Sequence, residues 1–194
     1  MRKLVVTEFM SLDGVVQAPG DPREDSEGGF EHGGWQRPYF DEVFMQRAAS
    51  GMAETDAQLF GRKTYDVMAA YWPNVDDSDP FAKHLNSVTK YVASRTLAAA
   101  TWAGTTVLTG DVTAQVRAIK QADGGTISVL GSAGLVQTLM AHDLVDEYSL
   151  AIHPIVLGSG KKLFREAEQV REFELVDATP TATGVLLTTY RPTR

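Results

Sequence analysis

Two glycine-bearing turns and one hydroxyl-rich turn in this sequence have the composition of phosphate-binding sites. The first is Gly61-Arg62-Lys63-Thr64-Tyr65, directly after the apolar run Ala57-Gln58-Leu59-Phe60. Glycine permits a sharp turn and a close backbone approach to a ligand. The unpaired amides of a helix starting there favour an anion. Arg62 adds a planar fork matched to phosphate oxygens, and Thr64 adds a hydroxyl donor. An ordinary helix start with surface basic residues fits the same five residues equally well. The second turn, Gly131-Ser132-Ala133-Gly134, also lies between an apolar run and a helical pattern. Its small residues would let a pyrophosphate approach a helix start, but without a G-x-G-x-x-G spacing it identifies no ligand by itself. The third, Ser94-Arg95-Thr96, offers hydroxyls and a guanidinium to an adenosine ribose or its phosphate; a plain polar loop is the alternative. Three such turns after three strand-like runs point together to a phosphate-bearing dinucleotide.

Other reactive groups are fewer. Asp13, in Ser11-Leu12-Asp13-Gly14 just past the first apolar run, is a candidate proton donor, with a turn-forming aspartate as the simpler reading. Trp35, Phe40 and Trp72 are candidates for an apolar substrate wall, against ordinary core and lid packing. Gly158-Ser159-Gly160-Lys161-Lys162 imitates a P-loop, but Ile155 stands where that pattern needs its first glycine and Lys162 where it needs Ser or Thr. Ser132 lacks a G-x-S-x-G elbow and is a poor nucleophile. His32, His84, His142 and His153 have no metal-ligand spacing and read as surface or packing residues. The chain has no cysteine, which excludes disulfides, thiolate zinc sites and thiol nucleophiles.

These groups need elements to hold them. Residues 3–9 read as a buried first strand. The segment from Gln17 to Pro38 carries five glycines and three prolines and reads as a long lid-like loop packed through Phe30 and Trp35. Tyr39 to Ala53 fits a helix with Phe40, Val43, Phe44 and Arg47 on one face. A short strand at 57–60 and a helix from Arg62 to before Pro73 follow. Asp76–Pro80 reads as a solvated loop and helix start, and 90–94 as a strand. The second half alternates: strand 105–108, helix 111–122 with Asp111 as N-cap, strand 126–130, helix 133–142, strand 147–156. Segments 172–177 and 185–190 read as a closing antiparallel hairpin. Short buried strands between amphipathic helices predict a three-layer α/β/α sandwich around a mainly parallel, mixed sheet.

At 194 residues the chain fits a single domain spanning 1–194. The net charge of −7 argues against sequence-independent binding to nucleic acid or anionic membranes. Residues 4–9 are too short for a signal-peptide core. No run approaches the ~18 apolar residues of a membrane helix, so the expected location is the cytoplasm.

Taken in order, Met10-Ser11-Leu12-Asp13-Gly14, Gly61-Arg62-Lys63-Thr64-Tyr65, Gly131-Ser132-Ala133, Leu144-Val145-Asp146-Glu147-Tyr148 and Pro154-Ile155-Val156-Leu157-Gly158-Ser159-Gly160 resemble the dihydrofolate-reductase-like superfamily. Within it, they are similar to the reductase domain of riboflavin-biosynthesis deaminase–reductases, in its stand-alone form. The likeness runs from residue 3 to about 190. It implies the dihydrofolate-reductase-like fold, NADPH as hydride donor and frequent homodimers, with the last strands as interface. It also implies that Gly61, Arg62 and Thr64 hold cofactor phosphates and that Gly131, Ser132 and Ala133 line the pyrophosphate. In dihydrofolate reductases an acid on the first helix serves the substrate; Asp41 and Glu42 are the acids available here. The G-x-G-T…D-x-P-x-L-x-x-R stretch of riboflavin-pathway reductases is replaced by Gly61–Tyr65 and Tyr71-Trp72-Pro73. The expected function is NADPH-dependent reduction of a small flat substrate, pterin- or pyrimidine-like. Two alternatives stand beside it: a non-catalytic NADP-binding regulator, and reduction of 5-amino-6-(5-phosphoribosylamino)uracil with Lys161, Lys162 and Arg165 as the phosphate pocket.

Overall fold

A computed structural model describes residues 1–165 and 170–193. Eight strands form one sheet: β1 (Leu4–Ser11), β2 (Thr55–Gly61), β3 (Thr89–Ala93), β4 (Thr105–Leu108), β5 (Thr126–Leu130), β6 (Glu147–His153), β7 (Phe173–Pro180) and β8 (Leu186–Pro192), in the order β4-β3-β2-β5-β1-β6-β8-β7. From β4 to β6 every pairing is parallel; β8 runs antiparallel to β6 and to β7. Five α-helices connect them: α1 (Glu42–Ala53), α2 (Arg62–Tyr71), α3 (Pro80–Ser87), α4 (Val112–Gln121) and α5 (Ala133–Ala141).

Strand alternation assigns the helices to layers. Leu4 and Val6 of β1, Ala57 and Leu59 of β2, and Tyr148 and Leu150 of β6 pack with Val116 of α4 and with Val136, Leu139 and Met140 of α5. Their neighbours point the other way. Phe60 and Val92 meet Tyr65 of α2 and Leu85 of α3, while Ala151 and Leu187 meet Phe44 of α1. The inner strands β2 and β6 thus bury side chains on both faces, as parallel sheets require, whereas the edge strand β7 is largely exposed. Fully burying one such aliphatic side chain is worth roughly 1.5–3 kcal/mol. At the N-terminal end of β1, Lys120 donates to the Leu144 carbonyl and the Asp146 carboxylate, and Asp146 accepts the Leu4 amide at 2.8 Å.

The expected alternation holds, with shifted boundaries. Strands 105–108 and 126–130 fall where the β-branched runs place them. The first helix starts at Glu42, not Tyr39, because the Asp41 side chain caps it by accepting the Phe44 amide at 2.9 Å. Phe40 is left in extended backbone outside the helix. β6 ends at His153, before Pro154, and β7 runs on to Pro180. Residues 17–38 contain only two short 3-10 turns, at 27–29 and 37–39. No helix among the described residues is long and apolar enough to cross a membrane.

Candidate active site

Strand order makes neighbours of turns far apart in sequence. With β3, β2, β5 and β1 side by side and parallel, the residues after each strand line one edge of the sheet. Ligands of open α/β sheets bind at that edge.

The first two turns interlock. The Gly61 amide donates to Ser132 Oγ at 2.8 Å. A Cβ at Gly61 would meet Ser132 Cβ at 3.2 Å and Oγ at 3.3 Å, so a side chain there would press on Ser132, which would have to give by a few tenths of an ångström. Gly131 has φ +59°, and a Cβ there would lie 3.5 Å from Thr64 Oγ1. Ser132 is itself left-handed at φ 69°, a conformation costing about 1–2 kcal/mol in a non-glycine residue. Such strain concentrates at functional sites. The starts of α2 and α5 therefore face each other across a few ångströms.

The capping pattern separates these two helices from the rest. Asp41, Asp79 and Asp111 place a side-chain oxygen on the first amides of α1, α3 and α4. Neither α2 nor α5 has any side-chain cap. Their first amides and partial positive ends meet at the Gly61–Ser132 contact, where an external anion would take the role the aspartates play elsewhere.

The remaining predicted residues are distributed unevenly. Arg62 spends its Nε on Asp66, 2.8 Å away and one helical turn on. Ser94 is buried, and its Oγ accepts the Thr96 and Leu97 amides at 3.3 and 3.0 Å. It shapes the third turn, while Arg95 and Thr96 are exposed one strand over from Gly61, which pairs in register with Ala93. Asp13 accepts Ser11 Oγ at 2.7 Å, the Leu157 amide at 3.1 Å and the Gly158 amide at 2.9 Å. Burial would raise its pKa, but those hydrogen bonds outweigh it and hold the carboxyl at about 2. Asp13 is thus an ionised clamp between the turn after β1 and the loop after β6, a geometry that favours the turn-forming reading over the proton donor. Asp41, as a cap, is no pendant acid of the first helix.

The three aromatic residues do not form one wall. Trp35 is buried against Val15, Ala18 and Phe30, with its Nε1 donating to the Gln17 carbonyl at 2.8 Å. Phe40 is exposed and edge-on to Phe44 at 4.9 Å. Trp72 belongs to the separate Phe60–Tyr65–Trp102 cluster under α2.

Glu8 and Gln17 had no reading of their own in the sequence, and the structure gives His153 and Lys161 specific surroundings. Glu8, in the middle of β1, is 2% exposed, its Oε1 has no hydrogen-bond partner, and burial, with Glu24 nearby, raises its pKa well above the ordinary value. A lone acid inside an apolar strand was the available signal. His153 is wholly buried among Phe9, Trp35, Tyr39 and Phe44, and burial lowers its pKa. Gln17 ties the 17–38 segment to the 158–161 loop: its Nε2 donates to the Asp25 and Glu27 carbonyls and its Oε1 accepts the Lys161 amide, all at 3.0 Å. Lys161, from the P-loop imitation, pairs with Asp25 and Glu27.

Residues 2–187 match the RibD C-terminal domain family. The chain belongs to that family. It is 33% identical over 140 residues to YyaP of Bacillus subtilis, covering 71% of this chain and 74% of that one. In fold it is similar to a putative riboflavin biosynthesis protein from Shewanella sp. PV-4, with a TM-score of 0.74, 22% identity and 99% of each chain covered. It is likewise similar to Enterococcus faecalis dihydrofolate reductase in complex with NADP(H), with a TM-score of 0.65, 14% identity and 99% and 97% of the two chains covered. The dihydrofolate-reductase-like fold expected from the sequence is the fold observed.

Proposed function

We propose that this RibD C-terminal domain protein is an NADPH-dependent reductase of a small, flat, pyrimidine-like substrate. The observation that carries the reading is the pair of uncapped helix starts joined at Gly61 and Ser132. Gly61, Arg62 and Thr64 on one side and Gly131, Ser132 and Ala133 on the other would hold the cofactor phosphates. Arg95 and Thr96, with Ser94 shaping their turn, would reach toward the adenosine end. When bound, NADPH supplies the hydride; the protein supplies orientation and electrostatics. With Asp13 held ionised, solvent water supplies the proton. The 17–38 segment is the lid of a single domain, and Trp35 anchors it. Phe40 stays exposed on the rim for substrate contact, whereas the buried Trp35 and the distant Trp72 act through packing. Leu175, Val176 and Leu186 are exposed on the closing hairpin, an apolar strip that a second copy would cover in a homodimer. A cytoplasmic location is part of the same reading.

NADPH is expected to quench tryptophan fluorescence saturably and to bind more tightly than NADH; no saturable binding of either would sink the proposal. Saturable binding without oxidation by any pterin or aminopyrimidine would favour the NADP-binding regulator instead. Gly61→Val crowds Ser132 where the two helix starts meet and is expected to weaken NADPH binding by about tenfold or more, a loss of at least ~1.4 kcal/mol. Unchanged affinity in a folded Gly61→Val protein would move the phosphate site elsewhere.

A further inference from the structure

One carboxylate oxygen bridges two lysines across the mouth of the cleft. Glu27 Oε2, at the tip of the 17–38 segment, contacts Lys63 Nζ on the first turn of α2 and lies 2.6 Å from Lys161 Nζ in the loop after β6. The three residues come from separate parts of the chain. The arrangement is built rather than incidental. Gln17, buried at 4% exposure, hydrogen-bonds the carbonyls of residues 25 and 27 and the amide of 161. Lys161 also keeps Asp25 as a counter-ion, so it remains neutralised if Glu27 leaves. Beside the bridge lies a cavity of about 290 Å³ bordered by Gln17, Glu27, Phe30, Ser159 and Lys161, near the lower limit of small-molecule sites. A single oxygen held by two ammonium groups is the contact a phosphate oxygen would make.

We propose that Lys63 and Lys161 form an anion subsite for the phosphate group of a ligand, and that Glu27 is its internal occupant, displaced when the ligand enters. The subsite lies one residue past Arg62 on one side and at the lid-covered cavity on the other. The phosphate it receives belongs either to the cofactor or to the substrate. Displacement also frees the lid tip from α2, so occupancy of the subsite and position of the lid are linked.

The test is isothermal titration of the whole protein with inorganic phosphate at fixed ionic strength. Glu27→Gln keeps the shape and removes the competing charge. It is expected to bind phosphate about fivefold more tightly than the parent, the size of one exposed ion pair. Adding Lys63→Met, an exposed substitution on α2, is expected to abolish that gain. Equal phosphate affinity in parent and Glu27→Gln, or a gain that survives Lys63→Met, overturns the proposal. Repeating the titration with NADPH present tells the two sources apart: competition assigns the subsite to a cofactor phosphate, simultaneous binding to a substrate phosphate. If NADPH does not bind at all, the reductase reading fails while the phosphate result stands on its own.

Discussion

Replacing Trp35 with alanine is expected to cost about 3–5 kcal/mol of stability, the range for deleting a buried large aromatic side chain. Trp35 is 7% exposed and fixes the 17–38 segment at two points, one on the sheet and one at the segment's own start. Its ring stands edge-on to His153, with centroids 5.0 Å apart, and its Nε1 donates to the Gln17 carbonyl. Alanine leaves a cavity lined by Val15, Ala18 and Phe30 and an acceptor without its donor. Trp35→Phe keeps most of the volume and removes the hydrogen bond, so it should cost less, with about 1 kcal/mol from the lost bond. Urea unfolding of the two variants measures both. A Trp35→Ala midpoint close to that of the parent would mean that the segment is held by its ion pairs and by Gln17, not by the indole.

Glu8→Gln is expected to stabilise the protein increasingly as pH rises. The folded pKa of Glu8 is raised, first by burial and then by Glu24. Below about pH 4.3, the ordinary value for the unfolded side chain, both states carry the proton. Above it the unfolded carboxyl ionises while the folded one stays neutral. Stability therefore falls with rising pH, at up to about 1.4 kcal/mol per pH unit, until the folded group ionises too. Glutamine has no such slope. Other carboxylates contribute the opposite trend: Asp13 and Glu27 are each held at about 2 and stabilise the fold above the ordinary carboxylate range. The difference between variant and parent isolates Glu8. Parallel stability curves between pH 4 and pH 8 would show that Glu8 is solvated in the folded protein.

What the sequence made legible was local. Thr105–Leu108 and Thr126–Leu130 are runs bounded by turn residues, and tertiary context moved neither end. The glycine and hydroxyl turns were visible for the same reason, and parallel pairing brought two of them into contact through Gly61 and Ser132. Phe40 was misplaced because it fits a helical stripe with Phe44, whereas the Asp41 cap sets the boundary one residue later. The clamp made by Asp13 was illegible for a different reason. Its amide partners are Leu157 and Gly158, more than 140 residues away, and no spacing rule foretells such a contact. The buried state of His153 depends likewise on Phe9, Trp35, Tyr39 and Phe44, from three separate segments.

The position of β8 also bears on how the chain is made. β7 is synthesised before β8, yet β8 occupies the place beside β6 and β7 pairs only with β8. A nascent chain that has finished β6 and β7 can close neither: the edge of β6 offers unpaired amides and carbonyls, and β7 has nothing to join. Both wait for residues 186–192 to leave the ribosome. Until then the open β6 edge is a template for strands of other chains, so a released chain cut short between residues 180 and 186 would present its sheet with the β6 edge unpaired by β8.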